Sequence, residues 1–375
     1  MNQVVLVTGL VLIDAPASAL NNAGIEPGRW ADNKVVVKKI KLRGREEYPY
    51  VSSQAFKRWW RDTLHEKFGW LESPITREEK IAYTEANPIK YEEDDIFGYM
   101  LAPAKKEEKV FVYRRIAPLK CSPLISVFSN VITDDFGVFS RGPVESEPVP
   151  FEQEFYSTIL KGAFSMMASE IGVFQRGVGK DIPAESDMEM KEKKKAIIIQ
   201  KAEDMIKLAK DKNASINDER IILEINERKK RIKETLLALS ELTGGAKEST
   251  YLTEISPRFV IASVLNVANH IFMDVVKATD DKLFVDIDVL NEIVRDYKIN
   301  FLSPIFIGVR KGFLEDSQYE TISKLSFDLD WTANLNESLK NDVRSLYQNP
   351  IPSVVFGTPK EVIRKLADHT VRVCV

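Results

Sequence analysis

Residues 52–68 read SSQAFKRWWRDTLHEKF. The large apolar residues of this segment recur at helical spacing and share one face, and they are Phe56, Trp59, Trp60, Leu64 and Phe68. A serine at the start is a natural N-cap, because its hydroxyl accepts a hydrogen bond from a backbone N–H of the first turn. The sequence therefore predicts an amphipathic helix here, the clearest in the chain.

The other face of this helix is polar and basic. Gln54, Arg58, Arg61 and His65 stand at positions i, i+4, i+7 and i+11, which places them along one stripe, with Lys57 beside it. The first backbone N–H groups of a helix point to where an anion binds. Such a stripe could follow consecutive phosphates of a nucleic acid. A surface helix with a basic outer face is the alternative that spacing alone leaves open.

The segments around this helix predict an α+β fold. In the N-terminal part we expect a buried strand at Val4–Ile13, a loop at 15–33, a strand at 34–42 and short strands at 110–116 and 125–131. In the middle of the chain we expect a β-prone stretch at 154–172, a loop or hairpin tip at 173–183 and a charged helical stretch at 185–242 that stops at Gly244-Gly245. In the C-terminal part we expect a strand within 251–272, a strand at 304–313 and helices near 289–297, 336–347 and 359–367. This order fits a ferredoxin-like domain with insertions better than a doubly wound sheet.

Composition excludes several classes of protein. The 375 residues are 44% hydrophobic and include 19 Phe, 11 Tyr and 5 Trp, so the chain is not intrinsically disordered. Two distant cysteines and three histidines offer no zinc-binding spacing, which argues against a Cys/His metal site. A magnesium site made of carboxylates alone is the alternative that counting leaves open, and we expect no metal and no cofactor. The apolar run Val4–Ile13 is too short for a membrane span and lacks the preceding cation of a signal peptide. We therefore expect a cytoplasmic protein that has no contact with a membrane.

Charge is segregated along the chain although the net charge is only −3. Residues 34–61 hold nine lysines and arginines but only two glutamates. Residues 66–95 hold nine acids and four bases, and residues 280–342 hold thirteen acids and seven bases. This distribution is compatible with a cationic groove on an acidic body, and with head-to-tail contacts between copies of the chain. Chance clustering on solvated faces is the alternative.

Two glycine-containing segments have features of phosphate-binding loops. Residues 244–247 (GGAK) could bring backbone N–H groups close to a phosphate, although a helix C-cap also explains both glycines. Residues 175–180 (QRGVGK) lack the first glycine and the final Ser or Thr of a nucleotide-binding P-loop, which argues against an NTPase. The acidic pairs Asp94-Asp95 and Asp134-Asp135 are interpreted as structural or solvated, and no catalytic signature is present.

Four segments resemble, in the same order, the backbone subunit of CRISPR Cascade complexes. Residues 51–58 (VSSQAFKR) are similar to its Ser-Ser-Gln-x-x-Lys-Arg segment, and residues 94–100 (DDIFGYM) to its Leu-Phe-Gly segment. Residues 169–174 (SEIGVF) are similar to the strand that leads into its thumb, and residues 244–247 to its Gly-Ala-Lys segment. The resemblance covers about residues 4–270 and is greatest to the DevR-like autoregulator branch of type I-B systems.

The resemblance implies a hand-shaped fold whose palm is like an RNA-recognition motif and carries large insertions. The palm would comprise residues 1–69, 151–172 and 244–375, with a fingers-like insertion at 70–150 and the thumb with its charged helical insertion at 173–243. It also implies a non-catalytic function. Copies of the subunit would polymerise in a helical filament along CRISPR RNA, associate with other Cascade subunits and meet target DNA through the guide.

The residues expected to bind RNA combine this resemblance with the basic and glycine-rich segments above. They are Asn21, Asn22, Lys38, Ser52, Ser53, Gln54, Lys57, Arg58, Arg61, Arg176, Gly244, Gly245 and Lys247. We expect phosphate and shape contacts to dominate, because the palm lacks the aromatic pairs on which ordinary RNA-recognition motifs stack bases.

Two other functions remain open from the sequence. A ferredoxin-like endoribonuclease that processes CRISPR transcripts needs a histidine near the glycine-rich loop, and His270 lies in an apolar segment typical of the core. A transcriptional regulator needs a DNA-reading element such as a helix-turn-helix, and no such pattern is visible.

Overall fold

The computed structural model describes residues 3–42, 44, 46–77, 82–101, 112–139, 149–184, 195–279 and 282–374, with backbone alone for residues 195–199. The strands within these ranges are β1 (Leu6–Ser18), β2 (Asn22–Glu26), β3 (Lys34–Val37), β4 (Lys39–Lys41), β5 (Glu47–Val51), β6 (Thr76–Arg77), β7 (Ala82–Tyr83), β8 (Tyr99–Leu101), β9 (Tyr113–Arg115), β10 (Leu119–Cys121), β11 (Leu124–Ser126), β12 (Ile132–Phe139), β13 (Val149–Met167), β14 (Val173–Gln175), β15 (Ser215–Ile216), β16 (Arg220–Ile222), β17 (Phe259–Leu265), β18 (Val276–Thr279), β19 (Lys282–Val285), β20 (Ile305–Val309) and β21 (Val354–Gly357). The helices are α1 (Ser53–Phe68), α2 (Glu92–Phe97), α3 (Lys195–Asp211), α4 (Ile225–Leu239), α5 (Glu248–Tyr251), α6 (Ile287–Tyr297), α7 (Asp316–Ser323), α8 (Glu337–Arg344) and α9 (Pro359–Val373).

Six of these elements form a ferredoxin-like palm. In chain order they are β1, α1, β11, β13, α4 and β17, and their strands lie in the sheet order β17-β1-β13-β11 with every neighbouring pair antiparallel. A β-α-β-β-α-β chain with this order is the RNA-recognition-motif topology. The expected α+β palm is therefore confirmed, and so is the helix at its first crossover.

Helices α1 and α4 cover one face of the palm sheet. Trp60 of α1 packs edge-on against Phe164 of β13, with ring centroids 5.7 Å apart, and its Nε1–H donates to the Thr235 carbonyl of α4 at 2.8 Å. The Phe164 ring in turn lies over Gly9 of β1, where a Cβ atom would come within 2.6 Å of it. The aromatic face of residues 52–68 thus joins the sheet to the second helix.

The opposite face of the palm sheet is covered by the segment that leads into β18. Lys161 points to this face from β13, and its ammonium donates to the carbonyls of Met273 and Val276 at 3.3 and 3.1 Å. Phe272 and Val275 of the same segment belong to the main apolar core. The sheet surface on which ordinary RNA-recognition motifs bind bases is therefore covered by the chain itself.

A second apolar cluster lies beside the main core, among β14, β15, β16 and α3. Phe174, Met205 and Ile221 are buried in it. Asp95 connects this region to the palm, because its carboxylate binds the guanidinium groups of Arg115 and Arg231, the latter at 2.9 Å. Helix α4, which the sequence division places in residues 173–243, contributes to the main core. The division into palm, fingers and thumb stays a prediction.

Three local expectations from the sequence are wrong. Residues 15–33 are not a continuous loop, since β1 continues to Ser18 and β2 pairs with β3, a cross-strand pairing that offsets the poor strand propensity of Asn and Gly. Residues 185–194 of the expected helical stretch 185–242 lie outside the described residues, and the rest is interrupted by the β15–β16 hairpin, where the Asn217 side chain accepts from two backbone N–H groups of the turn. Helix α4 ends at Leu239, before the glycine pair.

Candidate nucleic-acid interface

The N-terminus of α1 is built as the sequence predicts. Ser52 is the N-cap, and its Oγ accepts from the Ala55 N–H at 3.3 Å. The amides of Ser53 and Gln54 belong to the first turn, whose N–H groups have no intrahelical acceptor. No acidic residue lies in that turn, and Gln54 is exposed. This helix end therefore presents donors and a partial positive charge without a carboxylate of its own to occupy them.

The loop after β1 is fastened to the start of this helix. Asn21 Oδ1 accepts from the Ser52 N–H at 3.0 Å, and the Asn21 carbonyl accepts from the Lys38 N–H at 3.0 Å. The Lys38 carbonyl in turn accepts from the Tyr50 N–H at 2.9 Å. Asn21 thus ties together the end of β1, the basic strands and the helix N-terminus. Asn22 lies beside it with a buried Oδ1 that has no hydrogen-bond partner among the described residues.

Residues 244–247 lie against the same loop and the same helix. The Ala246 N–H donates to the Leu20 carbonyl at 3.1 Å. Gly245 has φ +110°, and a Cβ atom on it would come within 2.8 Å of Leu20 Cδ2. A Cβ on Gly244 (φ +115°) would lie 3.2 Å from Trp59 Cδ1 of α1. The glycines therefore serve a close approach between three chain segments, and the interpretation of them as a helix stop is wrong.

Three lysines of these segments have no ion pair with a carboxylate among the described residues. Lys38 and Lys57 have no ion-pair partner there. Lys247 donates to a neutral group, the Gln153 Oε1 of β13, at 2.5 Å. By contrast, Lys34 and Lys39 both lie 3.1 Å from the buried carboxylate of Glu154. The Gln153 amide also donates to Asp135 at 2.9 Å, so a carboxylate lies one hydrogen bond beyond Lys247. Lys38, Lys57 and Lys247 are therefore not ion-paired among the described residues, whereas Lys34 and Lys39 are.

Arg58 lies on the exposed side of α1. Its Nε lies 2.7 Å from Asp62 Oδ1, one helical turn away, and its side chain is 60% exposed. An exposed pair of this kind contributes only about 0.3–0.5 kcal/mol, so the guanidinium can exchange Asp62 for a phosphate at little cost. The guanidinium of Arg58 is therefore accessible to a ligand. That of Arg61, the next arginine of the stripe, is not.

Arg61 and His65 are engaged in holding the fold, and the expectation of one continuous exposed stripe is wrong. Arg61 Nε lies 3.0 Å from Glu93 Oε2, with the guanidinium over the Phe97 ring. His65 Nε2 lies 3.1 Å from the same Glu93 oxygen, and Nδ1 lies 2.7 Å from the Trp70 carbonyl. Burial lowers the pKa of His65, but the hydrogen bonds to Glu93 and Trp70 outweigh it and leave the pKa above its usual value.

Arg176 is not brought to this surface. It is 7% exposed, its backbone bridges to Ile182, and its Nη1 donates to the Asn217 carbonyl at 2.8 Å beside the second apolar cluster. Arg176 is buried because it directly follows β14, which pairs with β16 and encloses it. His270 is exposed, so its assignment to the core is also wrong.

Several residues at the interface carry no signal in the sequence. Gln153 holds Lys247, and Glu154 neutralises two lysines and accepts from the Val37 N–H at 3.0 Å. Tyr251 stacks on Phe155 with ring centroids 6.0 Å apart. These contacts join positions about 100 residues apart, which no local pattern encodes. The one sequence signal that could have indicated these residues is the alternation of side chains along β13, which places Gln153 and Phe155 on the same face.

The described part of the chain contains no group of three or more His, Cys, Asp or Glu side chains arranged to hold a metal ion. In the same residues, no helix has both the length and the apolar character needed to cross a bilayer.

By its topology the protein is an α+β palm of the RNA-recognition-motif type with insertions. A family model described as "CRISPR-associated negative auto-regulator DevR/Csa2" matches residues 11–286. The chain belongs to this family, and the resemblance seen in the sequence is confirmed. No curated protein matches the chain.

Solved structures provide more remote likenesses. A chain of a "CRISPR RNA-guided surveillance complex, pre-nicking" has a TM-score of 0.43 and 11% identity, covering 78% of this chain and 87% of its own. A chain of a "CRISPR RNA-guided surveillance complex" has a TM-score of 0.40 and 12% identity, covering 78% and 82%. A chain of a "Type III-B Cmr-beta bound to cognate target RNA" has a TM-score of 0.27 and 13% identity, covering 44% and 49%.

Proposed function

We propose that this protein is a non-catalytic CRISPR RNA-binding subunit, copies of which line up along a guide RNA to form the backbone of an antiviral Cascade complex in the cytoplasm. Membership of the DevR/Csa2 family supports this function. The observation that carries it is the convergence of the 20–22 loop, the N-terminus of α1 and residues 244–247 on one surface.

This surface is suited to phosphates. The free amides of the first turn of α1, the exposed Gln54 amide and the ammonium groups of Lys38, Lys57 and Lys247 are donors, and a phosphate has only acceptors. None of these groups selects a base. RNA held through its backbone leaves its base edges free to pair with target DNA, so the sequence information lies in the guide.

Assembly along the guide can be tested by size-exclusion chromatography of the purified protein with its absorbance ratio at 260 and 280 nm, before and after ribonuclease treatment. We expect RNA-dependent oligomers of variable length, because head-to-tail contacts that do not close a ring give filaments. Discrete closed dimers that persist unchanged through ribonuclease treatment would contradict the proposal.

The binding mode can be tested by competition among unrelated single-stranded RNAs of equal length. Phosphate contacts predict affinities that hardly depend on sequence and fall steeply with salt. A preference above about 2 kcal/mol for one sequence would require base-specific contacts and would contradict this mode.

An endoribonuclease is the first rival, and exposed His270 keeps it testable. Incubation with precursor CRISPR RNA in the absence of metal separates the two functions. We expect no site-specific cleavage. Cleavage that His270→Ala abolishes would establish the enzyme instead.

Negative autoregulation is the second candidate, because the description of the family names it. It predicts tight binding to double-stranded DNA from the protein's own promoter. Direct competition between that DNA and a single-stranded RNA of equal charge distinguishes regulator from guide carrier, and we expect the RNA to win.

A further inference from the structure

We propose that Leu252 is an apolar contact for a nucleobase of the bound RNA. The inference rests on the proposed RNA-binding function and deepens it, since the contacts described so far reach only the backbone. Leu252 is 81% exposed, the highest exposure among the large apolar residues that the structure describes. It follows the short helix α5, which begins directly after Lys247.

Leu252 has an unfavourable backbone conformation. Its φ is +49° and its ψ +37°, in the left-handed region that glycine or asparagine usually occupies at the end of a helix. A leucine there is strained, and its exposed side chain gains little from packing in return. A glycine would fit the backbone better and would remove an apolar side chain from solvent. The leucine is therefore poorly explained by folding alone.

The chain on both sides of Leu252 is anchored. Tyr251 stacks on Phe155 of β13 at an interplanar angle of 29°. Thr253 shares a hydrogen bond of 2.7 Å with Ser18 at the end of β1. The Leu252 N–H donates to the Glu248 carbonyl at 2.8 Å. The leucine is thus presented to solvent by a segment that cannot easily turn it inward.

The surroundings favour a nucleotide as the occupant. Lys247, five residues before Leu252, has an ammonium group without a carboxylate partner among the described residues, and the 244–247 segment contacts the loop at Leu20. A nucleotide combines an anionic phosphate with an apolar base face, which matches a cation and an exposed aliphatic side chain at the two ends of one short helix. Such a contact discriminates little among bases, because every base presents a similar face.

The test compares two ligands of about ten nucleotides, a length within the range that one single-strand site accommodates. One is oligouridylate, and the other is an abasic ribose-phosphate oligomer of the same length and charge. The wild-type protein should bind oligouridylate more tightly. Leu252→Ala should reduce this preference on the order of fivefold, since part of a leucine's burial is lost, and should leave the affinity for the abasic oligomer unchanged.

Ile299→Ala is the matched control, because Ile299 is a 74% exposed aliphatic residue in the acidic C-terminal part of the chain. It should leave both affinities unchanged. Loss of both affinities together in Leu252→Ala, or no change in either, would overturn the proposal. If the wild-type protein bound neither oligomer, the proposed RNA-binding function itself would fail.

Leu252→Gly provides a second test that does not depend on a disturbed fold. It should lose the preference for oligouridylate as Leu252→Ala does, while its melting temperature equals or exceeds that of the wild type. A lower melting temperature would mean that the leucine side chain supports the fold, and would overturn the proposal.

Discussion

Arg61 Nε lies 3.0 Å from Glu93 Oε2, and this contact divides helix α1 into two parts. Before Arg61, the side chains of Gln54 and Arg58 are exposed and that of Lys57 is half-buried. From Arg61 onward, Arg61 and His65 on the polar side of the helix contact Glu93 of α2. The stripe is uniform in the sequence, but its first half is free for the proposed RNA contact and its second half is a structural contact.

Arg61→Ala should lower the free energy of unfolding by about 1–2 kcal/mol. It removes a charged contact to a carboxylate that is nearly buried, together with the packing of the guanidinium on Phe97. Arg58→Ala is the control on the same helix and should change the free energy by less than about 0.5 kcal/mol. Urea unfolding of both variants measures the difference, and equal effects would contradict the division of the helix.

Asp95→Asn should destabilise the protein by about 1.5–3 kcal/mol, because it removes the carboxylate that two buried arginines share, while Arg115 keeps Asp181 at 3.2 Å and Arg231 keeps Glu227 at 3.0 Å. Arg115 and Arg231 are 3% and 0% exposed at the side chain, and Asp95 also accepts from the Gly172 N–H at 2.9 Å. Asp134→Asn, at a partly exposed ion pair with Lys34, is the control. Urea unfolding should separate the two clearly, and a loss below about 1 kcal/mol in Asp95→Asn would contradict a structural role for this network.

Acid should weaken the fold through His369. Burial lowers the pKa of His369 to about 4, against the opposing effect of its hydrogen bond to the Leu302 carbonyl. The unfolded chain takes up a proton here below about pH 6.5, whereas the folded chain resists until about pH 4. Stability therefore falls as the pH falls through this window, by up to about 1.4 kcal/mol per pH unit.

His65 has the opposite sign, because its pKa is raised in the folded state. Its contribution to stability is fully present below about pH 6.5 and is lost as the pH rises through the raised value. In His65→Gln this gain is absent, so acid destabilisation should be steeper than in the wild type. Urea unfolding at pH 7, 6 and 5 measures both slopes, and a flat profile in His65→Gln would contradict the assignment to His369.

The palm could be predicted from the sequence because its signals are local. The β-branched run at Val4–Ile13 and the aromatic face of residues 52–68 depend only on strand and helix periodicity. Ser52 is the N-cap because serine capping is decided within one turn. The covered sheet face could not be predicted, since the segment around Phe272 that covers it is more than 100 residues away along the chain from β13.

The sequence predicted which segments form the candidate site better than it predicted which side chains are free there. The loop at Asn21, helix α1 and residues 244–247 lie together, while the RNA contacts of their side chains stay a prediction. The pairing of Arg61 with Glu93 was not visible, because a partner on another element sets whether a charged side chain is free. Arg176 shows the same limit, since its burial depends on strand pairing with residues near 220.

The central claim is that the N-terminal half of α1 binds the RNA backbone. Replacing Arg61 would change the stability of the protein as well as its RNA binding. The test variant is therefore Lys57→Glu combined with Arg58→Glu. The control is Arg295→Glu combined with Lys311→Glu, which makes the same charge change at two exposed residues of the acidic C-terminal part. Arg295 is also paired with a neighbouring carboxylate, as Arg58 is.

The decisive measurement is the affinity of both double variants for a single-stranded RNA as a function of salt concentration. We expect the helix variant to lose two phosphate contacts, which lowers the slope of log affinity against log salt by about 1.4, and to bind at least about tenfold more weakly at low salt. The control should keep the slope of the wild type. Equal weakening and an equal change of slope in both variants would show that net charge alone governs binding, and would contradict the assignment of the interface to α1.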